Sequence, residues 1–122
     1  YKFNTGYDLY HALLLIENPQ DAKDLMFSVR AMGYISGFID GIILTQDNLY
    51  NLVLPKKLMS KKERIKWAKE MNFNRLNIPK EGIAVGQGVL IFQKWAKNHP
   101  EELNSTMRLC LWLSLAEAYG WK

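Results

Sequence analysis

The sequence predicts a single all-α domain of five or six helices spanning residues 1–122. Three observations predict it. Apolar residues recur at three- and four-residue intervals in several separate stretches. Polar capping residues and prolines stand where those stretches begin and end. No stretch sustains the apolar–polar alternation of a half-buried strand. A chain of 122 residues, 48% of them hydrophobic, matches one compact core and leaves no surplus for a second.

The first helix opens at Thr5, whose hydroxyl is placed to cap it, with Asp8 three residues on as a capping-box variant. Leu9, Leu13 and Ile16 give it an apolar face, and Asn18-Pro19 ends it. The same pair reads as the start of the second helix, Asn18 as its N-cap and Pro19 at its first position. That helix is predicted over 19–44. Gly33, Gly37 and Gly41 lie four apart along one of its faces. Each glycine costs a helix interior about 1 kcal/mol relative to alanine. Three in series therefore predict close backbone approach of another helix. In a bilayer this stripe reads as a dimerisation motif. Arg30 and Asp40 beside it favour tight packing inside a helical core instead.

Residues 45–59 lack a clean period. Asp47, Asn48 and Asn51 carry turn chemistry, and Pro55 is a breaker. Ser60 is placed to cap a short helix over 61–71, with Ile65, Trp67 and Ala68 on its apolar side and lysines around them. Asn72, Asn74, Asn77 and Pro79 mark a loop. The next helix is predicted over 85–98, with Val85, Val89, Phe92 and Ala96 as its stripe. His99-Pro100 breaks it, and Glu101 and Glu102 suit the acidic first turn of a following helix. In the last helix Leu103, Met107, Cys110 or Leu111, Ser114 or Leu115, and Ala118 face one way, and Gly120 terminates it after Tyr119.

Composition narrows the chemistry. One cysteine excludes an internal disulfide framework and a cysteine-rich zinc site. Two histidines offer little to a metal centre or a proton relay. The longest charge-free run, 82–93, is 12 residues, short of the about 20 that a bilayer span needs, so no membrane insertion is expected. Charge is unevenly spread. Residues 56–80 hold nine basic and two acidic side chains, whereas the remainder holds seven basic and ten acidic ones.

No residue has the setting of a catalyst, and no enzyme, cofactor or metal is predicted. Cys110 lies in the apolar run 109–113, which raises a thiol's pKa and makes it inert. His99, before Pro100, reads as a cap or turn residue, and His11, with no obvious carboxylate partner, reads as a packed or exposed residue of the first helix. Asp40 reads as a buried carboxylate paired with Arg30 across a bend or with Arg108, or else as exposed. Gly86-x-Gly88 lacks the preceding strand and third glycine of a phosphate cradle. Lysines interleaved with Trp67 and Phe73 have the composition of a nucleic-acid surface. A solvated helix face and a protein-partner surface are the other readings, and nucleic acid is not the predicted partner.

Four separated motifs carry a family likeness. They are Thr5-Gly6-x-x-Leu9, then Gly33-Tyr34-Ile35-x-Gly37-x-x-Asp40, then Ile78-Pro79-x-x-Gly82-Ile83-x-x-Gly86-Gln87, and last His99-Pro100-Glu101. In this order and spacing the chain resembles the type VI secretion amidase immunity proteins, from about Thr5 to Tyr119, with a variable basic insert at about 45–76 interrupting the match. Ala84 stands where the family has Thr, and the family's further cysteines are absent. The resemblance implies a small helical periplasmic protein, often a homodimer, whose signal peptide has been removed. It implies binding to a cognate peptidoglycan amidase effector and blocking of that enzyme's active-site cleft, with no catalytic residue of its own. A periplasmic stress chaperone of the Hde type is the alternative. On the immunity reading Gly33, Gly37, Asp40, Gly41, Pro79, Gly82, Gly86, His99 and Pro100 are scaffold. Partner contacts are expected at Asn48, Tyr50, Lys57, Arg64 and Trp67.

Overall fold

The computed structural model describes residues 2–53, 58–70, 76–79 and 81–120, with backbone only at 46–53, 64 and 67–70. These residues form an all-α domain: α1 (Gly6–Leu14), α2 (Ala22–Val53), α3 (Lys61–Glu70), α4 (Val85–Asn98), a 3₁₀ turn (Pro100–Glu102) and α5 (Met107–Tyr119). Helices α1, α2, α4 and α5 pack on one another, and α3 takes part in none of the main helix pairings among the described residues.

The four free amides at the start of α1, those of Thr5, Gly6, Tyr7 and Asp8, all find partners, and Leu9 N makes the first ordinary helical bond. Gly6 N donates to the Ser105 carbonyl at 2.9 Å and Tyr7 N to the Leu103 carbonyl at 2.9 Å. Asp8 N donates to Thr5 Oγ1 at 3.2 Å, and Leu9 N to the Thr5 carbonyl at 3.1 Å. The predicted capping box is complete, because Asp8 Oδ2 accepts from Thr5 N at 3.1 Å. It also accepts from Asn4 N at 2.9 Å. These bonds, led by that from Asn4, hold the Asp8 carboxyl below its ordinary range. Thr106 caps α5 and faces Thr5 across an isolated antiparallel bridge, so the N-termini of α1 and α5 are tied together.

α2 departs from the predicted bounds at both ends. It begins at Ala22 rather than at Pro19. Asp21 Oδ1 accepts from Asp24 N at 2.9 Å, and Asp24 Oδ2 accepts from Gln20 N at 2.9 Å. The aspartates thus do the capping expected of Asn18. The helix runs on to Val53, through the residues read as a turn. Asp47, Asn48 and Asn51 are poor helix formers, but each costs only about 0.7 kcal/mol or less, and no Gly or Pro interrupts them.

The glycine stripe is also placed differently. Gly33, Gly37 and Gly41 are exposed, and a Cβ added at any of them would meet nothing within 4 Å. The buried face of α2 carries Phe27, Ala31, Ile35 and Ile39. Each glycine follows one of the last three by two residues, about 200° around the helix. Burial follows the large apolar side chains, worth about 1.5–3 kcal/mol each, and turns the glycines to the opposite face. Asp40 is exposed with them rather than buried. The close approaches occur at Gly6, against Cys110, and at Gly88 of α4, where a Cβ would lie 2.8 Å from Ile39 Cδ1.

Buried Ser28 links α2 to α1, its hydroxyl donating to the Ala12 carbonyl at 2.9 Å. In α4, Val89, Phe92 and Ala96 are buried as predicted, but Val85 at the helix start is exposed. α5 buries Met107, Cys110, Leu111, Ser114 and Leu115. It ends at Gly120, whose φ of +75° favours glycine. Residues Ala22–Thr45 of α2 are long and apolar enough to cross a membrane by length and composition, contrary to the charge-free-run argument. Arg30 and Asp40 interrupt any long charge-free run there, yet the mean hydropathy of the stretch is still 1.3. The inward side of this stretch is core, so a core helix of this composition passes the same test.

Candidate functional site

The thiol and the two imidazoles lie in settings that explain their structure. Cys110 is fully buried, and its thiol donates to the Glu102 carbonyl at 3.4 Å. Burial pushes its pKa up, so little thiolate forms near neutrality. His99 caps the end of α4. Its ring stacks on Trp95 at 5.1 Å, and its Nδ1 bonds the Trp95 carbonyl at 2.9 Å. Nε2 stands 3.8 Å from Glu117 Oε1. The bond to Trp95, followed by Glu117, raises the His99 pKa against a smaller opposing effect of burial. His11 is exposed and stacks on Tyr7. Among the described residues no group of three or more His, Cys, Asp or Glu is placed to hold a metal ion.

The remaining scaffold positions have local roles. Pro79 and Gly82 close a turn, in which Gly82 N donates to the Pro79 carbonyl at 2.9 Å and Gly82 has a φ of +87°. In the Pro-x-x-Gly motif the last residue takes a left-handed backbone conformation that glycine adopts without steric cost. Gly86 lies exposed in the first turn of α4. Pro100 opens the 3₁₀ turn, so Glu101 and Glu102 belong to that turn and not to α5.

Among the described residues three surfaces stand out as available for binding. The first is α3. Ser60 caps it, its Oγ accepting from Glu63 N at 3.2 Å. Lys61, Lys62, Glu63, Ile65 and Lys66 are all exposed. The helix is thus a capped basic rod with an outward-facing isoleucine. Of the predicted contact residues, Arg64 and Trp67 belong to α3, while Asn48 and Tyr50 belong to the far end of α2. The side chains of these four residues, and Lys57 entirely, lie outside the described residues. The second surface is an open groove of about 550 Å³ between α4 and α5, lined by Leu90, Lys94, Trp95, Ser114 and Glu117 among others. The third is the outward face of α2, where Met26, Val29 and Leu44 are each more than half exposed beside the glycines.

Sequence reasoning did not find this third surface, although the signal was present. Met26, Arg30, Gly33, Gly37, Asp40 and Leu44 recur at intervals of 4-3-4-3-4. Assigning the glycines to the core hid that period. Comparison with protein-family models, with curated proteins and with solved structures finds no match for this chain.

Proposed function

We propose that this chain is a periplasmic immunity protein that binds a cognate type VI secretion peptidoglycan amidase and occludes its active-site cleft. The observation that carries this reading is α3. It is a short, capped, basic helix with every described side chain exposed, and among the described residues it takes part in none of the main pairings of the four-helix body. An inhibitor that works by occlusion needs a protruding element on a rigid scaffold, and charge on that element steers encounter with an acidic cleft. The four sequence motifs that resemble the immunity family add the identity of the enzyme to be blocked. The protein itself performs no chemistry in this mechanism. It excludes substrate by covering the amidase's reacting groups.

The test asks whether a reading frame beside this one encodes a peptidoglycan hydrolase, and whether the purified chain inhibits that hydrolase, measured as cross-link cleavage in purified sacculi. Inhibition by the parent chain is expected. Alanine at Asn48, Tyr50, Lys57, Arg64 and Trp67 together is expected to relieve it while leaving the helical circular dichroism unchanged. A parent chain that neither binds nor slows the hydrolase overturns the reading. Full inhibition by the five-alanine variant moves the blocking surface off α3 and the end of α2.

A further inference from the structure

The groove between α4 and α5 is open because of the residues that α5 turns toward it. Leu111 and Leu115 fill the core, whereas Ser114 and Ala118, one helical turn apart, leave a shallow wall. Buried Trp95 lies at the floor, and Leu90 and Ile91 make an apolar side. Two opposite charges line the same space, Lys94 from α4 and Glu117 from α5. Both are exposed, and among the described residues they do not pair with each other. Glu117 stands instead beside His99 Nε2, 3.8 Å away. We propose that this groove binds a short zwitterionic peptide, its terminal carboxylate on Lys94, its terminal ammonium on Glu117 and an apolar side chain over Leu90 and Ile91.

Size, polarity and charge converge on this class of ligand. The groove's volume of about 550 Å³ falls within the range of about 300–1,000 Å³ in which small ligands are held by an apolar lining and a few polar groups. A wholly apolar ligand would strip water from Lys94 and Glu117 and return no counter-charge. A ligand of one sign would satisfy one of them and be repelled by the other. A zwitterion with an apolar body satisfies both and covers the apolar side. The groove also provides for the peptide bonds between the two charged ends. Gln87 and Asn98 line it with primary amides, each offering donors and an acceptor as a peptide group does. Neither side chain makes a hydrogen bond of its own among the described residues. Ser114 is 1% exposed. Its hydroxyl donates to the Leu111 carbonyl at 2.7 Å, which leaves the oxygen's lone pairs for an N–H of the ligand.

The inference stands apart from the inhibitor reading, and its failure is distinguishable from that one because no amidase enters the test. The probes are the tripeptide Ala-Leu-Ala with free termini and the same peptide N-acetylated, C-amidated or blocked at both ends. Titration calorimetry measures the affinities, and amide chemical shifts locate the site. The free peptide is expected to bind, with shifts concentrated at residues 90–98 and 114–118. Blocking either end should weaken binding by about tenfold or more, through loss of one charge-assisted contact. Lys94→Glu should reverse the preference at the carboxylate end, so that the amidated peptide binds better than the free one. Glu117→Lys should likewise favour the acetylated peptide. Ala118→Trp should fill the groove and abolish binding with helical circular dichroism unchanged, because residue 118 is exposed. A free peptide that does not bind the parent chain overturns the proposal. Equally tight binding of the doubly blocked peptide overturns it too, and would make the groove a site for an internal segment of a protein. Affinities that neither charge reversal alters, or shifts confined to other helices, overturn it as well.

Discussion

Gly6 and Cys110 lie in direct contact, the first turn of α1 against the first turn of α5. A Cβ on residue 6 would overlap the Cys110 Sγ and stand 3.3 Å from the Leu103 carbonyl. The same turn is pinned by the Thr5–Thr106 bridge and by the bonds from Gly6 N and Tyr7 N, so α1 cannot slide away. Gly6→Ala is expected to destabilise the protein by about 1–3 kcal/mol through overpacking. Adding Cys110→Ala removes the sulfur and should recover part of that loss. Chemical denaturation of the parent, both single variants and the double variant gives the coupling. Strictly additive effects would show that the contact is not the cause.

The same burial sets the chemistry of the thiol. Cys110 has no exposed surface, and its raised pKa leaves little thiolate to react. Alkylation by iodoacetamide should therefore be slow in the native protein and should accelerate across the urea unfolding transition. Fast labelling with native circular dichroism intact would mean that the α1–α5 contact opens locally.

Much of this fold was legible because its signals are local. Thr5 with Asp8, Ser60, and Gly120 after α5 each announce a helix end within four residues, and each forms as read. α4 was legible within its predicted bounds because His99-Pro100 breaks it and three of its four stripe residues find the core. What was not legible depended on competition between distant parts. The glycine stripe of α2 and the apolar set Phe27, Ala31, Ile35 and Ile39 each define a face, and only the packing of α1 and α4 selects between them. Local propensity also misled at Asp47 and Asn48, where a helix already 25 residues long needed no new nucleus to continue. The candidate contact residues came from the charge of the insert and a family likeness, and charge alone names a segment without naming a face.

His99 gives the protein a pH-dependent contribution with a definite sign. Its folded-state pKa lies above the ordinary 6.5, raised first by the Trp95 carbonyl and then by Glu117. The protonated ring is thus favoured by folding. The contribution is fully present below pH 6.5 and is lost as pH rises through the folded-state value. The melting temperature of the parent should exceed that of His99→Gln by its widest margin at pH 5.5, and the margin should narrow by pH 8.5. Glu117→Gln should reduce the margin at low pH only. A margin that is the same at both values would assign the His99 effect to its stacking on Trp95, which does not titrate.

Two glycines on adjacent helices should respond to alanine with opposite signs. Gly37 lies on the open face of α2, and an added Cβ meets nothing within 4 Å. There the substitution only removes backbone freedom from the unfolded chain and improves helix propensity, together worth about 1 kcal/mol of added stability. Gly88 gains the same helix propensity. Its Cβ, however, would stand 2.8 Å from Ile39 Cδ1 and 3.1 Å from Ile35 Cγ2. Ile39 can move its terminal methyl only among its neighbours in a filled core, and Ile35 has no exposed surface to yield into. Overpacking of this kind costs about 1–3 kcal/mol, which exceeds the propensity gain. Gly88→Ala should therefore lower stability by up to about 2 kcal/mol where Gly37→Ala raises it. Thermal unfolding of the parent and of each single variant measures both effects. A stabilised Gly88→Ala would mean that α4 can back away from α2 at little cost. A destabilised Gly37→Ala would mean that the outward face of α2 is covered within its own chain.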